Sequence, residues 1–414
     1  MRLRLVGSFT LDPLAQALGR LDPPRGIAVA PYGQFRQTLL EPGEPGGIDV
    51  LVTDLDAWIP GGAHGLVVLS SADRVASREA LAREVAAFAA AADARGARLV
   101  VATLPAPVRP VLGYADWQEP EGEVAWVHAA NAAVAGVLRS HPSARVWDLG
   151  TLRAAFGTGA AGDPRLLFLG DIRMSPDFAA AAAADLLRLV RTLEAPPCKV
   201  LALDLDGTLW GGLAGEEGLG VAVGPESPMG KAFLAFQRQV LSLKRRGVLL
   251  AVVSKNDEAT ALEILDLHPG MALRRPDLAA WRINWEDKAA NLRAIAAELG
   301  LGLDSFAFWD DQPFEREWVR SACPEVRVAE VPPDPARHAA ALATWDAFDA
   351  SVLTGEDRAR AGQAAADRSR RELKAGSASL ADYLRSLATR VRVFRPQPPE
   401  LPRLAQLFQR TNQF

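Results

Sequence analysis

Apolar residues along this chain fall into two patterns, short continuous runs and longer stretches with helical spacing. Residues 3–6 form an apolar run that reads as a strand, and 11–21 follows with helical periodicity. Runs at 26–30, 50–52 and 65–69 are again short and apolar, the signature of further strands. A long helix is expected over 77–95, with Gly96 placed to end it. A strand over 98–103, a helix over 123–139, a strand over 144–147 and a helix over 175–194 complete the first part. Strands that alternate with helices imply a mainly parallel sheet covered on both faces, so the expected fold class is α/β. Ligands in such folds bind at the carboxyl ends of strands, and Ser8 stands after the first one.

Ala195, Pro196 and Pro197 break the pattern and read as a linker. The run 200–203 follows and stops abruptly at Asp204 and Asp206, with Gly207 and Thr208 behind them. Two carboxylates at the end of a buried strand are costly unless a partner or a metal compensates them. Residues 211–228, glycine-rich with three acids, read as a flexible insert. An amphipathic helix is expected over 230–246 and a buried strand over 247–253, ending in Ser254, Lys255 and Asn256. A helix over 257–267 and a strand and loop over 280–285 lead to Lys288 at the start of a helix that runs to 299. The strand 305–309 ends in Asp310 and Asp311; a helix over 315–322 and a strand over 326–331 close this part. Beyond 332 the character changes, with a charged helix over 358–374, a strand over 390–394 and a helix over 401–410.

Composition narrows the function classes. In 414 residues a hydrophobic share of 49% and a charged share of 23% fit a soluble chain of two or three domains. A net charge of -4 leaves no footprint for nucleic acid or an anionic membrane. The two cysteines, Cys198 and Cys323, form no framework, so a reducing compartment and a cytoplasmic location are expected. Five scattered histidines argue against zinc. The start lacks a signal-peptide core, and the most apolar stretch, 178–190, is too short and too charged to span a bilayer.

Chemistry concentrates where three strands of a parallel sheet end. Asp204, Asp206, Ser254, Asp310 and Asp311, with Lys288 nearby, would line one edge. That gathers four carboxylates, a hydroxyl and an ammonium in one cleft. Carboxylates and water are what Mg2+ takes as ligands, and a carboxylate can attack phosphorus as a covalent nucleophile. Ser254 can donate to a phosphoryl oxygen and Lys288 can pair with developing charge. Read alone, Ser254 also suits a helix N-cap near Asp257, and Asn256 suits either a turn or a substrate contact.

DLDGT, the strand ending in Ser254, Lys288 and the DD pair together resemble the four motifs of the haloacid dehalogenase-like (HAD-like) phosphatase superfamily. The longer phrases DLDGTLWGG, LAFQRQVLSLKRRGVLLAVVSKNDE, RINWEDKAANLRAIAAELGL, FWDDQPFEREWVR and RTNQF resemble the narrower FkbH-like family, over roughly 199–414. The resemblance implies a Rossmannoid parallel sheet with a minimal cap. It also implies an enzyme that dephosphorylates 1,3-bisphosphoglycerate and transfers the glyceryl group to the phosphopantetheine thiol of an acyl carrier protein, in polyketide biosynthesis. Asp204 would be nucleophile and metal ligand. Asp206 would be acid and base, and bind metal through its carbonyl. Thr208 and Ser254, with Asn256, would hold the phosphate and substrate. Lys288 would brace the nucleophile, and Asp310 with Asp311 would complete the Mg2+ site. The family often has cysteines on the strand before the aspartates and just before the SKND motif; here those places hold Val200 and Val253.

The domains expected are 1–194, 195–350 and 351–414. The first resembles, more weakly, an SGNH-hydrolase-like domain, and the last resembles the start of an α+β, acetyltransferase-like region. An SGNH enzyme carries DxxH where this chain has Asp171, Ile172, Arg173 and Met174, so a non-catalytic first domain is expected. The partners expected are a carrier protein and a small phosphorylated substrate; oligomerisation is left open. Two rival functions stand beside this one: a small-molecule phosphatase without acyl transfer, and a partner-binding scaffold with a vestigial site.

Overall fold

The computed structural model describes residues 2–41, 45–360, 362–363 and 368. The segments expected at 390–394 and 401–410, the RTNQF phrase and most of the charged helix 358–374 lie outside the described residues. The chain forms two compact units, Met1–Pro197 with Asp349–Val352, and Cys198–Phe348 with the chain from Leu353 onward.

The first unit is built on five parallel strands, β1 (Leu3–Gly7), β2 (Ile27–Val29), β3 (Ile48–Val52), β4 (Arg98–Ala102) and β5 (Ala144–Trp147). Their order is β2-β1-β3-β4-β5. Alternate residues feed opposite faces, as a pleated strand requires. Leu3 and Leu5 join a cluster with Leu14, Phe178 and Leu186, whereas Val6 packs with Phe88 and Trp126 on the other side. Both faces are therefore covered, which explains why these strands read as apolar runs. Asp49, buried on β3, is held by Arg4 (2.7 and 2.8 Å) and Arg95 (2.8 Å). The run at 65–69 is not a strand. It belongs to a helix, Gly62–Val68, entered through Gly61 and Gly62 at positive φ. The helix over 77–95 begins earlier, at Ser71, because Ser70 accepts from the Asp73 N–H and caps it. Three short helices, Leu149–Phe156, Thr158–Ala161 and Pro164–Gly170, fill the stretch before the last one.

The second unit repeats the plan with β6 (Val200–Leu203), β7 (Leu249–Ser254), β8 (Leu278–Ile283), β9 (Phe306–Trp309) and β10 (Arg327–Val328). The order is β10-β9-β6-β7-β8, all parallel. The closing strand is two residues long, shorter than the apolar run at 326–331 suggests. Leu201 and Leu203 face one cluster with Phe236 and Trp309; Val200 and Ala202 face another with Leu292 and Phe308. The insert after the aspartates is packed. Trp210, Ala214, Val221 and Val223 are buried in it, and Gly211 bridges to Ala222. No helix among the described residues is long and apolar enough to cross a membrane.

Candidate active site

In an open parallel sheet the crevice for a ligand opens where strand order reverses, at the carboxyl ends of the strands. In the second unit that point lies between β6 and β9. Asp204 directly follows β6, and its N–H donates to Trp309 O (3.0 Å), extending the ladder by one residue. Asp310 and Asp311 directly follow β9. The register pairs Leu203 with Trp309 and so brings the two acidic ends side by side. Oxygen atoms of Asp204, Asp310 and Asp311 lie within 4.8 Å of one another.

Lys288 opens the helix Lys288–Leu299, which Asp287 caps by accepting from the Ala290 N–H (2.8 Å). Its Nζ lies 2.5 Å from Asp310 Oδ2 and 2.9 Å from Asp204 Oδ1. The second contact is within ion-pair range but off the line of a hydrogen bond, so Asp204 Oδ1 remains without a donor. Burial alone would lower the Lys288 ammonium, but Asp204 and Asp310 outweigh it and hold it above the ordinary range. Asp310 moves the opposite way from a simple ion pair. Burial, then the charge of Asp204, raises its carboxyl in spite of Lys288. Asp311 is raised by the same two causes. The two partners' shifts agree once charges are counted: three carboxylates against one ammonium leave two negative charges uncompensated.

Asp206 stands apart from that cluster. Its Oδ1 accepts from Trp210 Nε1 (2.6 Å) and the Ala214 N–H (3.0 Å), and its Oδ2 from Asn256 Nδ2 (2.9 Å). Burial raises this carboxyl against the pull of the Trp210 bond. The four carboxylates expected in one cleft thus divide into a triad and a separately held fourth. Asn256 does two jobs, since its Oδ1 also accepts from the Asp257 N–H. Asp257, not Ser254, caps the following helix, accepting from the Thr260 N–H (2.9 Å). Ser254 ends β7, and Thr208 is fully buried with an unpartnered hydroxyl. Gly207 has φ 69° and sits so close to the triad that a Cβ there would lie 2.5 Å from Asp311 Oδ2. Only glycine fits without moving that carboxylate.

Several supporting residues are silent in the sequence. Gln237 donates to Leu209 O (2.8 Å) and accepts from the Ala272 and Leu273 N–H groups, pinning the turn behind Asp206. Its one signal is a polar side chain on the apolar face of the helix Pro228–Arg245, between Phe233 and Val240. Arg316 Nη1 donates to the carbonyls of Asp310 (2.7 Å) and Asp311 (2.9 Å) and so fixes the backbone of the acidic pair. Asn284 and Asn291 bond each other and fasten the loop that delivers Lys288.

Neither cysteine reaches this edge from β6. Cys198 precedes β6 at its amino end, six residues or about 20 Å of extended chain from Asp204. Burial pushes its thiol up to about 11. Cys323 is fully buried and also raised by burial. Val200 and Val253 are sealed in the core with Leu292 and Ile295.

At the switch point of the first unit, the Ser8 hydroxyl has one hydrogen bond among the described residues, from the Asp54 N–H (3.4 Å). Met174 holds the histidine's place in the DxxH pattern and is buried in the core; the charged group here is Arg173. It pairs with Asp171 (2.8 Å), Asp56 (3.1 Å) and Asp54 (3.2 Å), and Tyr32 donates to Asp171 (2.8 Å). Burial lowers the guanidinium, but Asp171 and Asp54 outweigh it, and an arginine cannot serve as a base in any case.

No family model and no curated protein matches this chain. Among solved structures it is similar to the N-terminal part of the protein BF1531 from Bacteroides fragilis, which contains a phosphatase domain complexed with Mg. The identity is 26%, the match covers 85% of this chain and 94% of that one, and the TM-score is 0.74. The chain is a mixed α/β protein with two parallel sheets, and it shares the fold of that phosphatase-containing structure.

Proposed function

We propose that the second unit is a Mg2+-dependent phosphoryl-transfer enzyme of the HAD-like class. The observation that carries the reading is the buried triad Asp204, Asp310 and Asp311 around Lys288, with two negative charges uncompensated within the triad and Asp311 Oδ1 unpartnered. Such a set fits a small divalent cation with oxygen ligands, and the similar Bacteroides structure was solved with Mg. Mg2+ held by these carboxylates and the Asp206 carbonyl would neutralise the repulsion between them and an incoming phosphate.

Asp204 supplies the nucleophilic oxygen, which bonds to phosphorus as the leaving oxygen departs. Asp206, held at three points, would give a proton to that leaving oxygen and later take one from the water that splits the aspartyl phosphate. Lys288 keeps Asp204 oriented, and Thr208, Ser254 and Asn256 serve the phosphoryl group and substrate.

The finer reading rests on the FkbH-like phrases of the sequence. It takes 1,3-bisphosphoglycerate as substrate in a cytoplasmic setting: the phosphopantetheine thiol of an acyl carrier protein would attack the acyl carbon as the acyl phosphate leaves as inorganic phosphate, and the Asp204 step would hydrolyse the remaining phosphate ester, leaving a glyceryl thioester. The first unit is then a non-catalytic, SGNH-like companion, a reading supported by Met174 in the histidine's place of DxxH. One observation favours the simpler alternative, a phosphatase without acyl transfer. Val200 and Val253 are core residues, and Cys198 lies at the far end of its strand.

The test is incubation with 1,3-bisphosphoglycerate, Mg2+ and holo carrier protein, followed by intact-mass spectrometry. A glyceryl mass shift on the carrier, absent with Asp204→Asn, supports the full reading. Phosphate release with no shift selects the simple phosphatase. Absence of both overturns the enzyme assignment for this substrate.

A further inference from the structure

The switch-point crevice of the first unit is filled by Arg173 and its carboxylates, but an open cavity lies elsewhere on the same sheet edge. It occupies about 460 Å³ at the carboxyl ends of β4 and β5, within the range of small-molecule sites. Its walls are fixed from within. Asn131 both donates to Leu104 O (2.9 Å) and accepts from the Leu104 N–H (2.8 Å). Thr103 donates to Asp148 Oδ1 (3.1 Å) and accepts from the Gly150 N–H (2.9 Å). A pocket tied by such bonds exists before any ligand arrives, which lowers the cost of binding.

The lining joins apolar residues, Leu104, Ala132 and Ala135 among them, with a guanidinium. Arg153 supplies the cation. Among the described residues it has neither an ion-pair nor a hydrogen-bond partner. An unpaired guanidinium at a cavity wall offers its charge and N–H fork to an anion. Asp148 also lines the cavity, but its Oδ1 accepts from Thr103 Oγ1 and from the Thr151 N–H (3.2 Å) at the start of its helix.

We propose that this cavity binds a small organic carboxylate with an aliphatic body, its carboxylate on Arg153 and its chain against Leu104, Ala132 and Ala135. The site is independent of the phosphoryl chemistry of the second unit. Calorimetric titration of the full chain with hexanoate tests it, with hexan-1-ol and inorganic phosphate as the uncharged and the chainless probes. Hexanoate binds saturably at one site, and each control binds at least about tenfold more weakly. Arg153→Gln weakens hexanoate about tenfold or more, with melting temperature and phosphate release unchanged. Asp148→Asn keeps the helix cap, removes a like charge, and tightens hexanoate by roughly twofold to fivefold. Absence of saturable binding, or equal affinity for hexanoate in the Arg153→Gln protein, overturns the proposal. Phosphate binding as tight as hexanoate overturns its aliphatic half.

Discussion

The two sheets carry the same inventory at their switch points, three carboxylates and one cation, yet the two edges are opposites. At the first, Asp54, Asp56 and Asp171 surround Arg173; their side chains are 26%, 56% and 23% exposed, so water shares the work of solvation. The fork of the guanidinium reaches all three. At the second, Asp204 and Asp310 are 8% and 0% exposed, and the compact ammonium of Lys288 reaches only these two of the triad. An acidic cluster by itself therefore says little. Burial without compensation separates a site that awaits a ligand from one that is already closed.

The comparison breaks most sharply at Asp204. Asp204→Asn is expected to lower phosphate release by at least about 10³-fold while the chain stays folded by circular dichroism; full turnover in a phosphoglycerate assay would place the nucleophile elsewhere. Lys288→Met comes next. It removes the ammonium that pairs with Asp204 and Asp310, costs about 3–5 kcal/mol of stability in metal-free denaturant melts, and slows release about 10²-fold. Added Mg2+ should recover part of that stability, and a melt indifferent to Mg2+ would sink the cation-site reading. At the closed edge, Arg173→Met is expected to cost only about 1–3 kcal/mol, since water takes over the carboxylates. Phosphate release should stay within about twofold of the native rate; a larger loss would give this edge a part in the chemistry.

The smallest effect concerns what lies beneath the open edge. His338 is buried against Trp309, the residue before Asp310, and its Nε2 donates to Pro332 O (2.9 Å). Burial lowers its pKa, so it stays neutral in the folded state where the unfolded chain would take up a proton. Its contribution is fully present above the unfolded value near 6.5 and declines as pH falls through and below it. Between pH 7.5 and 5.5 the unit should lose stability, a slope that His338→Gln reduces in urea melts, with the remainder expected from His268, which burial also lowers. A slope unchanged by the substitution assigns the effect to other groups.

Both halves of the site were legible where strands end abruptly in charge, because burying Asp204 or Asp310 beside Leu203 or Trp309 leaves a mark on the apolar pattern itself. The run at 65–69 was misread because five apolar residues carry no period, and the glycines that admit its helix resemble a loop. The insert behind Asp206 reads as flexible from its glycines, yet Trp210 and Val221 bury enough surface to order it. Gln237, Arg316 and the Asn284–Asn291 pair act through partners that only the fold brings near. The Arg173 cluster joins residues more than a hundred positions apart, a closeness no local pattern encodes.

The pairing of β6 with β9 has a consequence for how the protein is made. Val200 meets Phe306, so the central strand of the second sheet waits for a neighbour 106 residues downstream, the difference between those two positions. Contacts of such long range are formed late, after the loop entropy has been met. During synthesis the run that ends in Asp204 is exposed along one edge until β9 emerges, a template for wrong pairing that chaperones would need to cover. The acidic triad exists only once β9 has paired with β6, so cation binding reports on that one long-range pairing.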